Sequence, residues 1–285
     1  MRIERLGIVG SGIMGSGVAE VAAKAGVTVV LRSRKQESAD AMLAALGKSL
    51  ARQVERGRLE SADAEAVSDR VSATADLDAL ADCDLVLESV VEDIDVKKQL
   101  FVDLDRVVRD GAILATNTST LPVVELAMET QRPEQVVGIH FFNPAPAMSL
   151  VEVVRTLVSS PETVDEATAF ARACGKEPVV VEDRAGFIVN ALLFPYLNNA
   201  VRMLENRTAS RDDIDAAMKG GCNFPMGPLA LLDLVGLDTS VAILDALYVE
   251  FRDPNYAAVP LLRRMVVAGH LGRKSGRGFY DYSSK

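Results

Sequence analysis

Short apolar runs alternate with longer amphipathic stretches over the first 185 residues, and then the short runs stop. Residues 5–10 read as a buried strand, 14–25 as a helix ended by Gly26, and the β-branched segment 27–31 as a second strand. A long helical stretch covers 37–56, and a polar, acidic, helix-compatible segment covers 60–69. Apolar runs at 85–91, 112–115 and 136–140 each follow a helical or turn segment, the order in which parallel strands enter an α/β sheet. Runs at 150–154 and 178–181 add two strands, separated by a helix near 162–173. From Phe187 onward helical patterns take over, broken by Pro225-Met226-Gly227-Pro228 and Asp253-Pro254, and Ser283 to Lys285 read as a frayed end. The pattern predicts an α/β, Rossmann-type doubly wound sheet over 1–185 and an all-α C-terminal domain over 186–285.

Composition narrows the function. A chain of 285 residues suits two domains, and its 49% hydrophobic content supplies material for two cores. The formal charge of −9 argues against a nucleic-acid partner, so local basic residues must hold any anionic substrate. Cys83, Cys174 and Cys222 are odd in number and widely spaced, which fits neither a disulfide framework nor a metal site. No apolar stretch reaches the length of a membrane span, and Gly10-Ser11-Gly12 interrupts the only candidate for a signal peptide. These features predict a cytoplasmic protein with no metal and no membrane partner.

Gly10-Ser11-Gly12-Ile13-Met14-Gly15 matches G-x-G-x-x-G between a strand and a helix. Gly10 permits a tight turn, Gly12 lets a pyrophosphate approach the backbone, and Gly15 lets the helix pack on the strand. The second strand runs into Leu31-Arg32-Ser33-Arg34-Lys35, where NAD sites usually carry an acid that binds the ribose hydroxyls. An acid there would repel a 2′-phosphate, whereas Ser33 and Arg34 would bind one. The segment favours NADP(H), with NAD(H) as the alternative.

The chain has only two histidines. His140 ends an apolar run in Gly138-Ile139-His140-Phe141-Phe142-Asn143-Pro144, and Glu152 lies twelve residues on in a second run. Imidazole suits proton transfer near neutral pH, and a carboxylate on its other nitrogen would fix the tautomer. Adjacent strands would bring the two together, and a glutamate left unpaired in an apolar strand would be costly. Ser119 falls in a polar cluster directly after the run at 112–115, at the strand end where open α/β sheets bind ligands.

These motifs resemble the L-3-hydroxyacyl-CoA dehydrogenase family over almost the whole chain. The resemblance also rests on Glu88-Ser89-Val90-Val91-Glu92-Asp93, Thr116-Asn117-Thr118-Ser119-Thr120, Gly186-Phe187-Ile188-Val189-Asn190, Asp233-Leu234-Val235-Gly236-Leu237-Asp238 and Gly276-Arg277-Gly278-Phe279-Tyr280. It implies reversible NAD(P)-dependent oxidation of short-chain (S)-3-hydroxyacyl-CoA, with 3-hydroxybutyryl-CoA and acetoacetyl-CoA as the expected pair. The alternative keeps the hydride transfer but takes a carrier-protein-bound hydroxyacyl group or another hydroxy acid. The resemblance also assigns roles: His140 moves the proton, Glu152 orients it, and Ser119 and Asn190 hydrogen-bond or polarise the substrate. Glu92 and Lys97 correspond to residues near the nicotinamide ribose, and Ser49 and Arg56 to residues that contact CoA. The family's helical domain forms a homodimer. Ser33 departs from the family's usual acid.

Overall fold

The computed structural model describes residues 3–283; of the expected frayed end, Ser284 and Lys285 lie outside them. Ser283 itself is held, its backbone N–H and hydroxyl both donating to Asp281. The chain divides into two compact units, split between Asp183 and Arg184. The break falls two residues before the expected one for a local reason. The Asp183 carboxylate accepts the N–H groups of Val123 and Val124 at 3.0 and 2.7 Å, within the first unit. The Ala185 N–H donates to Glu250 at 2.6 Å, within the second.

The first unit is an eight-stranded sheet flanked by helices. Its elements run β1 (Arg5–Val9), α1 (Ile13–Lys24), β2 (Thr28–Arg32), α2 (Gln36–Glu55), α3 (Ser61–Asp69), β3 (Val71–Thr74), β4 (Leu85–Glu88) and α4 (Ile94–Val107). They continue with β5 (Ile113–Thr116), α5 (Val123–Ala127), β6 (Val136–Phe141), β7 (Leu150–Arg155), α6 (Pro161–Ala173) and β8 (Glu177–Glu182). The strand order is β3-β2-β1-β4-β5-β6-β7-β8, so the direction of winding reverses between β1 and β4. That switch point opens a crevice at the carboxyl ends of the strands, where sheets of this kind take ligands.

Central strands are buried on both faces, which is why they read as unbroken apolar runs: Leu85, Val86, Leu87 and Glu88 of β4 are all buried. The sequence pattern does not announce β3. It is a four-residue edge strand, and only Val71 of it is fully covered. The run at 85–91 leaves the sheet early, because the Glu88 side chain bends back to accept the Val90 N–H at 2.6 Å. Strand β7 runs antiparallel to β6, and this pairing sets His140 directly opposite Glu152.

The second unit is helical: α7 (Val189–Glu205), α8 (Arg211–Cys222), α9 (Pro228–Val235), α10 (Leu237–Phe251) and α11 (Pro260–Val267). Phe194, Leu197, Leu229, Leu232, Leu244 and Leu247 form the centre of its core. No helix among the described residues is long and apolar enough to cross a membrane.

Candidate active site

His140 and Glu152 are cross-strand neighbours on β6 and β7, and both are buried. The ring nitrogen Nδ1 of His140 lies 2.8 Å from Glu152 Oε2. A carboxylate only accepts, so Nδ1 carries the hydrogen, and in the neutral imidazole that leaves the lone pair on Nε2. Nε2 faces Ser119 Oγ at 3.2 Å. Phe142 packs its ring 4.5 Å from the imidazole, tilted by 54°, and restricts how the ring can swing. Asn117 adds a further restraint: its Oδ1 accepts the Phe141 N–H at 2.8 Å, tying the ends of β5 and β6 together.

Ser119 is held from the other side. The exposed Glu92 accepts its N–H at 2.9 Å and also accepts the hydroxyl of Thr118. The N–H groups of Thr120 and Leu121 donate to Thr118 Oγ1 at 3.3 and 2.9 Å. A Glu–His–Ser line resembles the relay of a serine hydrolase, but a serine nucleophile also needs backbone N–H groups aimed at an oxyanion. Here the three amides from Ser119 to Leu121 are all engaged by side-chain oxygens. The arrangement suits a proton-transfer histidine with a hydroxyl that hydrogen-bonds a substrate oxygen.

Glu88, which sequence reasoning left unassigned, anchors this region. Fully buried at the end of β4, it accepts from Lys97 Nζ at 2.6 Å, Thr116 Oγ1 at 2.7 Å and the Val90 N–H. Its one signal in the sequence is a charge inside the apolar run at 85–91. Lys97 is only 1% exposed and also reaches Glu92 at 3.3 Å. Lys97 thus braces two carboxylates, and Glu92 is the member of the pair that faces solvent.

The glycine motif lies where β1 turns into α1. Gly10 has φ +134°, and a Cβ there would lie 2.2 Å from the Ser89 carbonyl oxygen. A Cβ on Gly15 would lie 2.9 Å from the Gly10 carbonyl oxygen, so close packing of helix on strand requires glycine. Gly12 differs: its φ of −82° is ordinary, and a Cβ would meet nothing within 4 Å. The chain itself does not need glycine at this position, whereas a ligand lying against the backbone would. The N-cap of α1 is Gly12, with no side chain to cap the first turn, and uncapped N–H groups at a helix start suit an anion. Gly10, Gly12, Ser33 and Arg34 line one cleft of about 540 Å³ together with Arg32 and Val96. These residues fit a dinucleotide.

Ser49 and Arg56 lie elsewhere in the same unit, in a basic hollow shared with Lys48, Arg52 and Arg58. The Ser49 hydroxyl donates to the buried Glu20 at 2.7 Å, and Gln53 and Lys24 donate to the same carboxylate. Burial alone would push Glu20 up, but these three donors hold its carboxyl below the usual range. Ser49 therefore also locks α1 to α2. Asn190 belongs to the other unit, buried in the first turn of α7.

Residues 5–184 match the family described as 3-hydroxyacyl-CoA dehydrogenase, NAD binding domain, and residues 186–282 match its C-terminal domain. A 3-hydroxybutyryl-CoA dehydrogenase of Mycobacterium tuberculosis is 48% identical over 286 residues, covering 98% of this chain and 99% of that protein. One from Clostridioides difficile is 46% identical over 279 residues, with 98% and 99% covered. The crystal structure of (S)-3-hydroxybutyryl-CoA dehydrogenase PaaH1 from Ralstonia eutropha superposes with a TM-score of 0.96 at 40% identity, covering 99% of this chain and 100% of that one. The chain belongs to the 3-hydroxyacyl-CoA dehydrogenase family.

Proposed function

We propose that the protein interconverts short-chain (S)-3-hydroxyacyl-CoA and 3-oxoacyl-CoA, with 3-hydroxybutyryl-CoA and acetoacetyl-CoA as its pair. The observation that carries this reading is the line from the buried Glu152–His140 pair to the half-buried Ser119 at the carboxyl end of the sheet. A bound nicotinamide dinucleotide supplies the hydride acceptor and donor. In oxidation, His140 Nε2 takes the proton of the substrate hydroxyl, and Glu152 stabilises the imidazolium that results. In reduction, the same nitrogen returns the proton to the carbonyl oxygen. Ser119 Oγ hydrogen-bonds that oxygen, and Asn190 polarises the substrate.

The cleft that Gly10, Gly12 and Gly15 shape is the cofactor site in this reading, with Glu92 and Lys97 at its nicotinamide end. Ser33 and Arg34 in place of an acid favour NADP(H). The basic hollow with Ser49 and Arg56 takes the CoA phosphates. The helical unit forms a homodimer, which fits the apolar side chains it leaves uncovered, Leu192 at 72% and Val267 at 89% exposed. The protein acts in the cytoplasm.

The test is the rate of acetoacetyl-CoA reduction with NADPH and with NADH, followed by nicotinamide absorbance. Fast turnover with NADPH and little with NADH is expected. The reverse preference keeps the reaction and overturns the phosphate reading at Ser33 and Arg34. No turnover with either cofactor overturns the CoA substrate.

A further inference from the structure

Arg34 stands out in the sequence as a phosphate ligand, but the structure brings a second guanidinium into the same cleft. Arg32 is the last residue of β2, and its carbonyl accepts the Gly10 N–H at 3.0 Å. The turn of the glycine motif and the basic segment are thereby fixed to each other. Arg32, Ser33 and Arg34 all line the cleft. Ser33 is buried, and its N–H donates to the Thr74 carbonyl at 3.1 Å, so the tripeptide has a rigid backbone.

The Arg32 side chain is poorly satisfied by the chain itself. Its Nε is buried without a hydrogen-bond partner. Neither Arg32 nor Arg34 forms an ion pair among the described residues. Burial and the charge of Arg34 push the Arg32 guanidinium below its ordinary range, and the carboxylates of Asp103 and Asp76 oppose this only in part. Asp103 also lines the cleft, but it accepts from Gln99 at 3.1 Å. Two like charges beside an unfilled buried donor cost free energy unless an anion completes them. A phosphate monoester offers a near-double negative charge and three acceptor oxygens, enough for two guanidinium groups and a serine hydroxyl.

We propose that Arg32 and Arg34 form a two-guanidinium clamp for a ribose phosphate monoester, with Arg32 as a second determinant of cofactor preference. The proposal rests on the reading of this cleft as the dinucleotide site. A phosphate monoester could come from the 2′-phosphate of NADP or from the 3′-phosphate of CoA, and half-ligands separate the two sources.

The experiment is calorimetric titration of the full chain with 2′,5′-ADP, 3′,5′-ADP and 5′-AMP, for the wild type, Arg32→Met and Arg34→Met. Wild type is expected to bind 2′,5′-ADP at least ~10-fold tighter than 5′-AMP, and each variant to lose about tenfold for 2′,5′-ADP, with the loss concentrated on the phosphorylated ligand. If Arg32→Met keeps the wild-type ratio while Arg34→Met loses it, the clamp is overturned and the NADP reading stands. If the wild type does not discriminate between 2′,5′-ADP and 5′-AMP, the NADP reading falls and takes the clamp with it. Preference for 3′,5′-ADP over 2′,5′-ADP overturns the clamp as a cofactor determinant and reassigns these arginines to CoA. Should Arg32→Met fail to fold, Arg32→Lys answers the same question: a point charge without the fork geometry is expected to forfeit roughly threefold for 2′,5′-ADP alone.

Discussion

The sheet unit and the helical unit both bury carboxylates, and they surround them differently. Glu152 and Glu88 face mainly side chains: an imidazole in one case, an ammonium and a hydroxyl beside one backbone N–H in the other. Asp215 and Asp233 face mainly backbone. Asp215 accepts the N–H groups of Leu229 and Ala230 at 2.8 and 3.0 Å and the hydroxyl of Tyr280 at 2.8 Å. Asp233 accepts the N–H groups of Phe279 and Tyr280, each at 2.8 Å, and the hydroxyl of Tyr282 at 3.1 Å. The partners decide what a buried charge can do. A carboxylate against imidazole biases a proton that can move, whereas one against amides fixes the chain where it lies. Close packing agrees with the second role: a Cβ on Gly278 would lie 1.9 Å from Asp233 Oδ1, and one on Gly227 would lie 2.2 Å from Asp215 Cγ.

The comparison breaks most visibly at His140. His140→Gln removes the transferable proton but keeps an N–H donor for Glu152. Turnover of acetoacetyl-CoA is expected to fall about 10³-fold, the range of general acid–base catalysis, while the unfolding midpoint moves little. Near-normal turnover with cofactor still bound would remove His140 from the chemistry.

Next in size is Asp233→Ala. It strands the N–H groups of Phe279 and Tyr280 and a tyrosine hydroxyl and leaves a gap against Gly278. A loss of about 3 kcal/mol is expected in urea unfolding of the full chain. A loss well under 1 kcal/mol would mean that water or a shifted side chain replaces the carboxylate, and that the contrast between the two units is overstated.

Much of this was legible before the structure, and the rest was hidden for identifiable reasons. Alternation of apolar runs with helical stretches is a direct consequence of a sheet buried on both faces, so the central strands were plain. The pairing of His140 with Glu152 was readable because an acid in an apolar strand needs a partner. Strand β3 was not readable, since an edge strand with one covered side chain leaves no run. Nor were Asn117, Glu88 and Arg32. Asn117 acts through Phe141, 24 residues away, and Glu88 ties its strand to Thr116, 28 residues away. Arg32 looks like any basic residue in a turn until the structure shows its Nε buried and its carbonyl tied to Gly10. Asp233 sat in a recognisable motif, but the amides it holds come from Phe279 and Tyr280, 46 and 47 residues away, and Asp215, in no motif, holds the first turn of α9.

The smallest effect sharpens the contrast by its sign. Burial pushes the Asp233 carboxyl up; the donors from Tyr280, Phe279 and Tyr282 pull it down without winning, and the nearby charge of Asp215 adds to the rise. An unfolded aspartate releases its proton near 3.8, and the folded one releases it at higher pH. Between those two points the folded state holds a proton that the unfolded state has lost. This group's contribution to stability therefore falls as pH rises through the window and stays level above it. Asp233→Asn cannot ionise and lacks that component. Urea midpoints of the wild type and Asp233→Asn, measured at several pH values from 3.8 upward, should differ by a decline present only in the wild type. Parallel curves would mean that the folded carboxyl titrates like an unfolded one. A wild type that instead gains stability over Asp233→Asn as pH rises would mean that the amide donors outweigh burial, giving Asp233 the ordinary behaviour of a well-paired carboxylate.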